Sequence, residues 1–185
     1  MLTASCRRLD GASGRAFGAG EIDELITLDA ETERRLGETP ERRWSRFLDA
    51  WKTIAREKRG LPARTDIDPL RLGADLLPNV FLADVVREHG KAAPRFRFRL
   101  LGQAILDRET TRAGQFLDEL GASADIGEID RHYRACLERK VALREASLVW
   151  NDVRKDAFTY SVLVLPLSDD GESVTHLLGL ALYHF

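Results

Sequence analysis

Few residues in this chain have the chemistry of a reactive site. His132 falls in the longest predicted helix of the second half, one residue from Tyr133, and an imidazole on such a helix is the residue type that could ligate a haem iron. The apolar stripe of that helix runs through Ile129, Tyr133, Cys136 and Leu137, so His132 belongs to its border and reads more simply as a boundary histidine. His176 alternates with Leu178 and Leu180 on the last predicted strand and reads as a packed histidine, and His89 falls in a turn. Cys6 and Cys136 are the two cysteines. They are too far apart, and too unlike a CxxC pair, to suggest a disulfide scaffold or a zinc site, and Cys136 is expected to be a buried structural thiol. Arg64, Asp66 and Asp68 could hold an anion or do acid–base work, but local capping and an arginine–carboxylate fork account for them. Asp169, Asp170 and Glu172 crowd one turn without the regular oxygen spacing that calcium needs. No GxSxG, P-loop or GxGxxG occurs, so the common nucleophile and nucleotide motifs are missing. No cofactor is expected.

The bulk properties narrow the class. The chain has 185 residues, with 44% hydrophobic and 31% charged residues and a formal net charge of −2. That length suits one domain with an extension, and that composition supports a packed core. Without a basic excess, nucleic acid is not expected as a partner. No apolar run reaches the ~18 residues that span a bilayer, so no direct membrane insertion is expected and a cytoplasmic location is.

The elements that must position any site follow from periodicity. Residues 1–38 read as a Gly-, Ser- and Arg-rich lead with a short helix over 21–37. Residues 39–185 form the domain, and its first helix covers Pro40–Lys58. Thr39 is its expected cap and Pro40 its first residue, and Gly60 stops it. Trp44, Phe47, Leu48, Trp51, Ile54 and Ala55 line one face of that helix. This stripe is wide for a flanking helix, so Trp44, Phe47, Leu48 and Trp51 are the expected homodimer interface.

Asp68 and Pro69 then open a short turn over 69–76. Asn79–Val86 is a strand covered on both faces, and Phe96–Leu101 an alternating one. Alternation should turn Phe98 and Leu100 towards the helices and Arg97 and Arg99 away from them. Helical signals fill Gln103–Lys140, in segments at 104–111, 116–120 and 127–140. Strands follow at 144–151, 158–165 and 174–183, the last two joined by a turn at Asp170-Gly171. Tyr160 and Val162 should face the helices with Phe98. Phe98, Phe116, Tyr133, Trp150 and Tyr160 come from the sheet and its covering helices, and they either line a small-ligand pocket or fill the core.

The blocks LPARTDIDPLRL (61–72), LLPNVFLADV (76–85), FRFRLLG (96–102), GQFLDEL (114–120) and LPLSDDGESVTHLLG (165–179), in this order, resemble the bacterial single-domain PAS family (PAS_5). The resemblance covers about Trp44 to Leu182. It implies an α+β fold, a five-stranded antiparallel sheet with helices on one face, preceded here by the amphipathic helix. It also implies a sensory or regulatory module in bacterial signalling that takes a small ligand, a signalling-protein partner, or both, without catalysis. The alternatives are a small enzyme on a ketosteroid-isomerase-like cone, with Asp107 or Asp118 as its carboxylate, and a ligand-free dimeric adaptor.

Overall fold

The computed structural model describes residues 42–109, 111–120, 126–138, 141–149 and 157–184, with strand residues 142–149 and 157–160 and His184 described by backbone alone. The expected lead and short helix, Thr39, Pro40 and Trp150 lie outside these residues.

Helix α1 (Arg43–Lys58) ends where Arg59 turns left-handed at φ 55°. The amide of Gly60 then closes back on the Ala55 carbonyl at 3.1 Å. Asp68 caps the one-turn α2 (Pro69–Leu72) by accepting the Leu70 N–H at 2.9 Å, and Pro69 fills the first position, where no donor is needed. Strands β1 (Val80–Val86) and β2 (Arg95–Leu101) form a hairpin. The short α3 (Gln103–Leu106) and the longer α4 (Ile126–Leu137) follow, and β3 (Ala142–Val149), β4 (Ala157–Leu167) and β5 (His176–His184) complete the chain. The sheet has the order β2-β1-β5-β4-β3, with every described pairing antiparallel.

Register defines the two faces. Ala83 lies opposite Phe98 and Leu177, and Phe81 opposite Leu101 and Gly179, so these residues share the front face. Tyr133 of α4 stacks on the Phe81 ring at 6.0 Å, which places α4 on that side. Asp84, Arg97 and His176 share the back face with Leu82, Leu100 and Leu178. On β4 and β5 both faces are closed: Leu163, Val164, Leu165, Leu177, Leu178, Leu180 and Ala181 are all buried.

Helix α1 is what closes the back. The Trp51 indole N–H donates to the Pro166 carbonyl at 3.1 Å. Trp44, Phe47, Leu48 and Trp51 are all buried within the chain itself. The structure therefore corrects one expectation. The apolar stripe on which a homodimer was expected is consumed by the chain's own sheet, where burial of each large side chain is worth on the order of 1.5–3 kcal/mol.

A β-bulge changes the outcome on β2. Leu82 pairs with Leu100 but Ala83 pairs with Phe98, so Arg99 is the extra residue. Phe98 is buried on the front, as alternation requires, and Val162 shares that face by its pairing with Ala181. Leu100 does not follow Phe98. The bulge turns it to the back, where it is 49% exposed. Tyr160 is described by backbone only, opposite Tyr183.

Candidate functional site

The front face carries an aromatic cluster. Tyr133 stacks on Phe81 and meets Phe96 edge-on at 5.2 Å, and Phe98 meets Phe81 edge-on at 6.3 Å. Phe98 and Tyr133 thus belong to one cluster, joined through Phe81, and Phe96 adds to it; the sequence reading selected neither Phe81 nor Phe96. Gly179 makes this packing feasible, because a Cβ there would lie 2.0 Å from the Phe81 ring.

Phe116 goes elsewhere. It bridges Arg97 in antiparallel register, so it extends the sheet beyond β2 and points to the back. The Arg95 guanidinium lies 3.8 Å from its ring centroid. Arg95 is held there by Asp118 at 2.8 Å and Glu119 at 3.1 Å. Phe116 is therefore a cation–π platform at the sheet edge rather than a front-face residue.

Towards the other end of the front face sits Glu109. The turn after α3 continues through the Glu109 N–H, which donates to the Ile105 carbonyl at 2.8 Å. Residues four apart share a helical face, so the buried Ile105 directs Glu109 inward. Its carboxylate has one hydrogen-bond partner among the described residues, the Tyr183 hydroxyl at 3.4 Å. Burial pushes the Glu109 carboxyl above its ordinary range, and the Tyr183 contact only partly offsets this. The other clustered acids have cations: Asp66 has Lys58, Asp75 has Arg46, Asp118 has Arg95 and Asp130 has Arg134. The spacing Ile105-x-x-x-Glu109 was the available signal for Glu109.

The back face carries a charged cluster around Asp84. Arg99 donates to it through Nε at 2.6 Å and Nη2 at 3.0 Å, and Arg97 through Nη2 at 2.9 Å. The His176 Nε2 lies 3.4 Å from the same carboxylate. Burial alone would raise the Asp84 pKa, but the Arg99 and Arg97 hydrogen bonds outweigh it and hold the group below its ordinary value. His176 Nδ1 is 2.9 Å from the Thr175 hydroxyl and 3.4 Å from Asp169. Its burial lowers the imidazole pKa, against the pull of Asp169 and Asp84. A lone acid inside the apolar run VFLADVV was the sequence signal for this cluster.

The remaining candidates have local partners within the chain. His132 is half-buried, and its Nδ1 contacts the Glu128 carbonyl one turn earlier at 2.7 Å. Cys136 is fully buried, with its thiol 3.6 Å from the Val164 carbonyl. Asp66 accepts from the Ala63 amide and from Lys58, while Asp169 accepts from the Arg64 amide at 2.9 Å. Asp170 takes the amides of Glu172 and Ser173 at the hairpin tip, which holds its carboxyl well below the usual range. Asp107, one of the carboxylates considered for an enzyme, is exposed and bonded to Gln103. Asp118, the other, is exposed and paired with Arg95.

Comparison with known proteins gives one family. A PAS domain family model (PAS_5: PAS domain) matches residues 41–182. No curated protein matches the chain. Among solved structures, the PAS domain of BvgS from Bordetella pertussis is similar at 17% identity and a TM-score of 0.34, covering 57% of this chain and 74% of that one. The periplasmic sensory domain of the Campylobacter jejuni chemoreceptor Tlp1 is similar at 13% identity and a TM-score of 0.37. That match covers 89% of this chain and 58% of the Tlp1 chain. The order of two strands, helices and three strands, together with a family match that runs from the residues ahead of α1 into β5, shows that this chain belongs to the PAS domain family.

Proposed function

We propose that this chain is a sensory and regulatory PAS module in bacterial signalling, without catalysis of its own. A small ligand taken on the front side alters the packing of α3 and α4, and a protein partner reads the change through α1. The observation that carries this reading is the Trp51–Pro166 hydrogen bond. It ties the helix on the back of the sheet to β4, a strand that also packs against α4 through Val164 and Cys136. A change on one face then has a single sheet to cross before it meets a helix, and packed elements shift between discrete arrangements rather than deforming smoothly. Glu109 supports a ligand on the front, because a sheltered carboxylate with one long hydrogen bond gains most from an added donor.

Family membership supports the signalling role. The module acts in the cytoplasm. Among the described residues no helix is long and apolar enough to cross a membrane.

Native mass spectrometry of the purified protein, with thermal-shift screening of metabolites, tests the ligand. The expected result is a small molecule bound one to one, whose binding changes hydrogen exchange in both α4 and α1. Binding that alters α4 and leaves α1 unchanged overturns the transmission route. If no metabolite binds and none co-purifies, the ligand reading fails and the adaptor alternative stands.

A further inference from the structure

His176 is a buried imidazole set among charges on the back face. Asp84 of β1 faces its Nε2 at 3.4 Å, and Asp169, in the turn between β4 and β5, faces its Nδ1 at 3.4 Å. Arg97 and Arg99 of β2 already hold Asp84, and the positive charges of Arg99 and Arg64 reach the ring. The Thr175 hydroxyl is 2.9 Å from Nδ1 and accepts the Asp169 N–H at 3.0 Å. These partners select one neutral tautomer. Nε2 faces a carboxylate, which only accepts, so it carries the proton, and Nδ1 is left to accept from the Thr175 hydroxyl. A second proton, from solvent, has to enter at Nδ1. It reverses the Thr175 hydrogen bond and places a charge in a buried site beside two guanidinium groups. Burial, with the Arg99 and Arg64 charges, outweighs Asp169 and Asp84 and lowers the imidazole pKa.

The same turn fastens the chain where it leaves α1. The Ser168 N–H donates to the Pro62 carbonyl at 2.9 Å, and the Arg64 N–H donates to Asp169 Oδ1 at 2.9 Å. Asp66 of that segment pairs with Lys58, the last residue of α1, at 2.6 Å. We propose that His176 is an acid-released latch, whose protonation opens the contacts between residues 62–64 and 168–169 and frees the exit of α1. Asp169 carries the change, because one of its oxygens faces the ring and the other holds the Arg64 amide. Once Nδ1 becomes a charged donor, the carboxylate closes from 3.4 Å onto the ring and leaves Arg64. The direction follows from linkage. A depressed imidazole pKa means that the latch is closed above the ordinary imidazole range and is lost as pH falls through the folded value. This latch does not depend on the ligand proposed for the front face, and it fails or holds separately.

Nitrogen NMR of the histidine rings and amide hydrogen exchange of the full chain, both followed from about pH 7.5 to about pH 5, test it. At neutral pH His176 should show the Nε2–H tautomer, and it should titrate below the ordinary imidazole value. As it titrates, opening at the Arg64, Ser168 and Asp169 amides, corrected for the intrinsic pH dependence of exchange, should rise at least about threefold. Amides in the middle of β4 and β5 should keep their protection. His176→Gln keeps an N–H for Asp84 and cannot be charged, so its opening should no longer respond to acid. Asp169→Asn keeps an acceptor for the Arg64 amide but removes a charge that favours the proton, so its midpoint of opening should move to lower pH. Acid-dependent opening that persists in His176→Gln overturns the proposal, as does a ring that titrates while the three amides keep their protection. A His176 pKa at or above the ordinary value also overturns it. If His176→Gln does not fold, the Asp169→Asn variant decides, and an unmoved midpoint overturns the latch.

Discussion

The two faces of one sheet are stabilised by different means. On the front, Phe81, Phe96, Phe98 and Tyr133 pack edge to face and stacked, and the sheltered Glu109 carboxylate has the Tyr183 hydroxyl as its hydrogen-bond partner among the described residues. On the back, half the surface is sealed by the tryptophan-rich stripe of α1, and the other half is organised by one buried carboxylate holding two arginines. Dispersion between packed rings is summed over many weak contacts, whereas a fork of charge-assisted hydrogen bonds has one good geometry. The response to a ligand that we propose is accordingly assigned to the front, while the back holds register and carries α1.

The largest effect should come from breaking the back-face seal. Trp51→Ala removes a fully buried indole and should cost about 3–5 kcal/mol in chemical denaturation. Trp51→Phe keeps most of the volume but leaves the Pro166 carbonyl without its donor, and should cost about 1–3 kcal/mol. If the two substitutions cost the same, the hydrogen bond is what matters and packing is secondary.

The charged half should respond asymmetrically. Replacing Arg97 and Arg99 together by Ala strands Asp84 in a buried position and should cost about 2–4 kcal/mol. Asp84→Asn leaves two half-exposed guanidinium groups that water can serve, so it should cost less. Because the folded Asp84 pKa is depressed, its contribution is present above the unfolded value and is lost as pH falls through the folded one. The acid side of the stability–pH curve should therefore flatten in Asp84→Asn. Equal losses from the two changes would contradict this account of the cluster.

On the front, Gly179→Ala places a methyl group where the Phe81 ring already lies and should cost about 1–3 kcal/mol. A companion Phe81→Leu change should recover part of that loss if the clash is with the ring alone.

The smallest effect belongs to Glu109. Its folded pKa is raised, so the folded state binds more protons than the unfolded state between the two values. Stability therefore falls as pH rises through that window, and Glu109→Gln should remove this decline and slightly raise the melting temperature at neutral pH. A lower melting temperature for Glu109→Gln at neutral pH would show that the carboxylate has a stabilising partner.

Much of this was set by the sequence alone. Alternation along β4 and β5 determined which residues share a face, because the strand period is two. The stripe from Trp44 to Ala55 marked α1 and its buried side. Asp68-Pro69 fixed the start of α2, and Asp170-Gly171 the hairpin tip, where Gly171 adopts φ 73°. The tertiary structure decided the rest. Periodicity says that a stripe must be buried but not against what, so whether α1 met a second copy or its own sheet was decided by the open back of β4 and β5. One extra residue at Arg99 reversed the expected side of Leu100, since a bulge shifts every later side chain by one step. Phe116 left the front face because its backbone joined the edge of β2. Asp84 and its arginines are 13 and 15 residues apart in the chain, and only the β1–β2 pairing brings them within hydrogen-bonding distance.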